Sequence, residues 1–446
     1  MRPAAIYLMS LALFLFSFKY AEAQNVDDIF ARTAGSPELY EHYGYDNTEA
    51  EFTLDSTVIL EQASAPTRSQ VDSQIRSQMR YMLGLMRSSE TQAAALYPKW
   101  DFNITETKKE GANKWVVKYR LNTKGVFALN THQYTFTLPY NPKKIFTQAR
   151  NLCHDSKGVA DSNFWYHWDP SKAGCPLKED QEYFKLTVPL KIIPNTTMTF
   201  PEYAKLVDGD RNIKMTMLFG FANYGNASWA PEGNQDWGII SYNKQRNFLK
   251  SLGFTETVWT QDQIKTIFTA RDQFVPHVVE MNLSGAQANV RIRLVLSDTG
   301  LYHNSRAFHI FLREALANES IVVYSGHSGI GKNLDLEAIE RLRGFKFRFN
   351  PNYQILFLGS CVPYAYYTDM LFSRKKTAAD PNGTLNLDIF SYAKESYFAS
   401  EEDNYLTRAI VRWAREGYKT SYQEIIRSSP KYFFAINGDE DNSTTR

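Results

Sequence analysis

The sequence predicts an α/β fold: a wound, mainly parallel sheet with helices on both faces, preceded by a smaller α+β N-terminal domain. Three observations carry this. From about residue 200 onward, apolar β-branched runs alternate with segments of helical spacing, the order that builds a parallel sheet. Two of those runs, Ile321-Val-Val-Tyr and Ile355-Leu-Phe-Leu, are wholly apolar or aromatic, as strands buried on both faces are. Between them Leu334, Ala338, Ile339 and Leu342 recur at helical spacing. Strand, helix and strand then make a βαβ unit whose two turns lie at the carboxyl ends of neighbouring strands, where open α/β sheets place their sites.

Residues 1–23 read as a signal peptide. Arg2 is the positive end, Ala4 to Phe18 is apolar apart from Ser10 and Ser17, and Ala21-Glu-Ala23 fits a small-x-small cleavage site. The mature chain is expected to begin at Gln24, to be secreted or periplasmic, and to carry no membrane span. Residues 24–149 form the α+β domain. Its first part, to about residue 64, is polar with little period. A helix follows from about Pro66 to Ser88, with Val71, Ile75, Met79, Met82 and Leu83 on one face. Three antiparallel strands follow, Lys114–Leu121, Gly125–Leu129 and Gln133–Leu138, separated by Asn-Thr turns. Residues 150–200 are an aromatic loop containing Phe164-Trp-Tyr-His-Trp-Asp-Pro, read either as a substrate or partner surface or, as favoured here, as a disulfide-stapled plug whose rings bury against the core. The α/β domain is expected over 201–446. Its strands are placed at Arg211–Gly220, at about 255–260, at Ala288–Leu296 and in the central unit. Its helices are placed at about 234–252, 262–269, 305–317, 364–372 and 404–416, with a shorter one near Tyr422.

With 446 residues and a net charge of +2, the chain is long enough for two or three domains, and its charge is too near zero for a nucleic-acid footprint. No oligomeric state follows from it. Three cysteines in an exported chain leave one over. Cys153 and Cys175 share the aromatic loop and are expected to form a disulfide. Cys361 is then either a reactive thiol or a small hydrophobe closing a buried strand. His154 and His167 beside the paired cysteines lack the short spacings of a zinc site, and no metal or cofactor is expected.

The turn Gly326-His-Ser-Gly-Ile-Gly-Lys-Asn333 approximates three motifs. As a phosphate-binding loop it has Asn333 where Ser or Thr should hold magnesium. As a nucleophile elbow centred on Ser328 it lacks the last glycine, and no histidine follows to complete a triad. The third is a Cys-His dyad formed with Cys361. An apolar strand ending in a histidine turn, followed by an apolar strand ending in cysteine, resembles the caspase–legumain–gingipain group of cysteine peptidases. The motif spans about 320–365 and the architecture about 200–430. It departs from the group's His-Gly in having Ser328 after His327, with Gly329 one later, and its cysteine context is Gly-Ser-Cys-Val-Pro.

The resemblance implies a caspase-like sheet and an endopeptidase acting on a peptide or protein substrate. Cys361 would attack the scissile carbonyl to form a thioester, and His327 would protonate the leaving amine. Backbone amides of Cys361 and of Gly329 or Ser328 would stabilise the oxyanion. Pro363 suits the first turn of a helix, which would set Cys361 at that helix's positive end. Asp298, after a strand, is either a selector of basic side chains or, as its position favours, a turn carboxylate capping the next helix; Asp369 has the same two readings. His303 and His309 read as structural. The rival class is a non-catalytic exported binding protein with the same fold.

Overall fold

The computed structural model describes residues 47–446 apart from 89–91, 100, 149–151, 154–167, 194–196, 223–235, 268–274, 304–305, 397–401 and 428–432. The segment expected to be a signal peptide, His154, His167 and most of the aromatic run lie outside the described residues.

The N-terminal part is antiparallel. It comprises β1 (Asn47–Glu61), α1 (Arg68–Ser88), β2 (Ala93–Leu96), β3 (Asp101–Lys109), β4 (Lys114–Ala128), β5 (Gln133–Pro139), α2 (Pro142–Gln148), β6 (Tyr183–Pro189) and β7 (Lys191–Ile192). Strand β4 is its spine: β1 pairs along one edge for its whole length, and β2 and β3 share the other. The expected break at Asn122-Thr-Lys is absent, and β4 runs straight through it. Cross-strand partners explain why. Asn122 accepts a hydrogen bond from the Thr53 hydroxyl as an outward rung, and Lys124 pairs with the buried Glu49. Strand β1 falls where the sequence reads as polar and aperiodic, yet Phe52, Leu54, Val58 and Leu60 alternate inward against outward Glu51, Thr53 and Asp55.

Helix α1 covers this inner face with Val71, Ile75, Met79 and Met82. Gln78, wholly buried beneath it, accepts from the Ser56 and Tyr119 hydroxyls and donates to the Thr57 and Pro139 carbonyls. That satisfies a buried amide and ties the helix to three strands. Strands β6 and β7 return to pair with β5 and β1, which makes the 150–200 region continuous with this part. Cys153 is joined to Cys175. Beside them the buried Trp168 packs edge-on against Tyr81 and donates its indole N–H to the Thr137 carbonyl, so this one ring of the run is a plug.

The second part is α/β, with a mainly parallel sheet. Its elements are β8 (Asn212–Gly220), α3 (Trp237–Ser251), β9 (Thr255–Val258), α4 (Gln261–Ile267), β10 (His277–Leu283), β11 (Asn289–Ser297), α5 (Ala307–Asn318), β12 (Ile321–Ser325), α6 (Leu336–Arg343), β13 (Gln354–Gly359), α7 (Pro363–Ser373), β14 (Leu387–Tyr392), α8 (Glu402–Glu416), α9 (Tyr422–Arg427) and β15 (Phe434–Asn437). The strand order is β15-β14-β13-β12-β8-β11-β10-β9. The five strands from β14 to β11 are parallel, while β15 at one edge and β10 and β9 at the other are antiparallel. Each central strand feeds two cores. Val323 and Phe357 face α3, α8 and α9, through Ile239, Tyr242, Ile410 and Tyr422. Val322 and Leu356 face α5, α6 and α7, through Phe311, Ile339 and Leu371.

The two parts share a core. Val362, Tyr364 and Ala365 at the start of α7, with Ala393, Phe433 and Ala435, join the cluster built by β1, β2, β4 and α1. At its polar centre is Glu49, only 2% exposed. It accepts from the Tyr364 phenol at 2.6 Å and pairs with Lys124 at 2.9 Å. Burial works against the Lys124 charge, but Glu49 outweighs it and raises the ammonium's pKa. Burial and the same carboxylate raise the Tyr364 phenol well above its usual range, so it stays protonated and donates. Glu49→Ala strands both partners. Its unfolding free energy should fall by about 3 kcal/mol, and that of Tyr364→Phe by about 1 kcal/mol, read from denaturant midpoints by circular dichroism.

Candidate active site

Strands β12 and β13 pair in parallel, and the last register pair is Ser325 with Gly359. His327 and Cys361 each lie two residues beyond that pair. They therefore leave the same end of neighbouring strands, which run about 4.8 Å apart. A further bond from the Gly326 N–H to the Gly359 carbonyl keeps the two chains together past the strand ends.

The His327 turn is held from inside. The Tyr324 phenol and the Asn333 amide both donate to the His327 carbonyl, and the Asn333 N–H donates to the Ser328 carbonyl. Gly329, Ile330 and Gly331 are all left-handed. A side chain at Gly329 would collide with that of Asn333. Asn333 thus packs its side chain against the inside of the turn. Tyr367 donates to the Ser328 carbonyl from α7, on the cysteine side. Among the described residues nothing accepts from the Ser328 or Gly329 N–H. Gly329 is exposed, whereas Ser328 is buried.

The imidazole is half-buried, and its Nε2 lies 2.9 Å from the Ala222 carbonyl, just beyond β8. A carbonyl only accepts, so Nε2 carries the proton and the lone pair of the neutral ring is on Nδ1. Cys361 is also half-buried, with Sγ 3.8 Å from the Ser396 carbonyl beyond β14. Each side chain thus makes a contact on its outer flank, His327 toward β8 and Cys361 toward β14.

Pro363 occupies the first turn of α7 as expected, but the N-cap is Val362, which sets Cys361 one residue outside the helix. Val362 has φ 53° and ψ 39°, a left-handed conformation that a β-branched residue rarely adopts. Such a position stores about 1–3 kcal/mol. Its N–H bonds to the Lys394 carbonyl, and its side chain is fully buried in the shared core, so the surroundings hold it there. Strain directly after a candidate nucleophile is where functional backbone distortion tends to concentrate.

The other candidates have contacts of their own. The Asp298 carboxylate is 3% exposed, caps the Gly300 N–H and binds His303 Nδ1 at 2.7 Å. It is a turn carboxylate, although helix α5 begins beyond it without a side-chain cap. Asp369 sits within α7, close enough to Tyr97 of the N-terminal part to help raise that phenol's pKa after burial. Sequence reasoning missed Ala222, Asn333, Tyr324 and Ser396. All four act through a backbone carbonyl or on one, and such contacts leave little mark in residue type.

No family model and no curated protein matches the chain. Among solved structures, the chain is similar to the G domain of the FeoB iron transporter of T. maritima at 15% identity, covering 46% of this chain and 99% of that one, with a TM-score of 0.20. A likeness at that score carries no argument.

His309 lies apart, buried in α5, where its Nδ1 accepts from Arg343 Nε at 3.0 Å. Burial first, and the Arg343 charge second, lower its pKa from 6.5 to about 3. The folded state therefore refuses a proton that the unfolded chain takes. The stability this provides is complete above pH 6.5 and drains away as pH falls toward 3. Between pH 7 and pH 5 the parent protein should lose about 2 kcal/mol more than His309→Gln, measured by urea titration at both pH values.

Proposed function

We propose that the protein is an exported cysteine endopeptidase with a caspase-like fold, using Cys361 as nucleophile and His327 as its proton partner. One observation carries this: parallel register delivers both residues, two positions past a shared pair, to the same end of adjacent strands. The resemblance to the caspase–legumain–gingipain group calls for neighbouring histidine and cysteine strands in a helix-covered sheet, and the architecture has that form. The strained Val362 and the amides of Ser328 and Gly329 add support.

The steps follow ordinary thiol chemistry. The Cys361 thiol passes its proton to His327, and the thiolate attacks the carbonyl carbon. The amides of Cys361 and of Gly329 or Ser328 would stabilise the oxyanion, as the resemblance implies. The imidazolium protonates the leaving amine, and water hydrolyses the thioester. The Ala222 carbonyl suits this role, because it holds Nε2–H while Nδ1 takes and returns the proton.

The outward contacts of the imidazole and the thiol favour the second reading, a binding protein that keeps the fold without turnover. Alkylation separates the two. At pH 6 Cys361 should react with iodoacetamide at least about tenfold faster than a model thiol. His327→Ala should remove that advantage, and Cys361→Ala should abolish cleavage of a peptide library. Labelling at the model-thiol rate, indifferent to His327→Ala, rules out the peptidase and leaves the binder.

A further inference from the structure

We infer that Asp236 is a positioning residue for His327, acting through the backbone of Ala222. Asp236 is 2% exposed and stands at the N-cap of α3. Its Oδ1 accepts from the Gly238 N–H at 2.8 Å and the Ile239 N–H at 3.3 Å. Those two bonds complete an ordinary helix cap. The same oxygen makes a third bond, at 3.0 Å, to the Ala222 N–H fourteen residues back (|i−j|=14). Nothing in helix capping calls for that bond.

Its consequence lies on the other side of the same residue, where the Ala222 carbonyl holds His327 Nε2. Both backbone polar groups of Ala222 are thus engaged, one by a buried carboxylate and the other by the imidazole. The carboxylate fixes the direction of the carbonyl, and the carbonyl fixes the ring's tautomer and rotation. The fit is close-built. A side chain at Gly238 would overlap the Gly220 carbonyl, so α3 starts hard against the end of β8, which brings Asp236 within reach of Ala222. Charged and polar ligands of catalytic groups work only when held to within about 0.5 Å, and here the holding group is remote in sequence and absent from the cleft chemistry.

For its catalytic consequence this rests on the peptidase proposal, but the positioning can be read without turnover. Asp236→Ser keeps a good N-cap while its shorter side chain gives up the reach to Ala222. Asp236→Asn keeps an acceptor oxygen for all three amides. With ¹⁵N-labelled histidine, His327 (assigned by its loss in His327→Gln) should show the Nε2–H tautomer in the parent and in Asp236→Asn. In Asp236→Ser it should show averaging of the two tautomers. Alkylation of Cys361 at pH 6 should slow about tenfold in Asp236→Ser and stay within about threefold in Asp236→Asn. Leu249→Ala, which removes a buried side chain from the same helix, should lower Tm yet leave both readouts at the parent values. An unchanged His327 tautomer in Asp236→Ser overturns the positioning role. A changed tautomer with unchanged alkylation upholds the positioning and counts instead against the peptidase.

Discussion

The parallel pairing of β12 with β13 is the constraint on which the rest depends. Its five-residue register brings two turns of unlike chemistry to one end of the sheet. A slip by one position would send His327 and Cys361 to opposite faces, because side chains alternate along a strand. Such a slip is opposed from both sides. Val323 and Phe357 are committed to one core, and Val322 and Leu356 to the other. The register is therefore fixed by burial within the strands.

Each turn is then finished by a different neighbour. The histidine turn is closed by its own Tyr324 and Asn333 and reaches across to the loop beyond β8. The cysteine turn is closed by residues beyond β14 and by the core shared with the N-terminal part. The Glu49 carboxylate joins β1, β4 and α7 at one buried point, two residues past the strained Val362. The antiparallel part is thereby built into the wall behind Cys361.

The middle of the α/β sheet was legible because strands buried on both faces are nearly pure in composition and the helices between them carry a clear period, whereas β10, β14 and β15 were not placed. The βαβ unit, its turns and Pro363 at the helix start all follow from that. Strand β1 was not legible, because its outward rungs include Glu51, Thr53, Asp55 and Thr57, and a polar approach segment dilutes its alternation. Strand β4 was split at Asn122 because turn propensity is local, whereas its pairing with β1 is decided by residues some seventy positions away. Of the site, His327 and Cys361 could be named from residue type and position. The contacts that orient them run through the carbonyls of Ala222, Lys394 and Ser396, which any amino acid would supply.

The shared core joins stretches that are distant in sequence. Tyr364 bonds to Glu49 across |i−j|=315, and Phe433 and Ala435 lie in the same cluster. The bend that presents the sulfur is completed only when the beginning and the end of the described chain have met around it. A substitution in β1 or β15 would therefore be felt at the turn that carries Cys361, however far off it lies in the sequence.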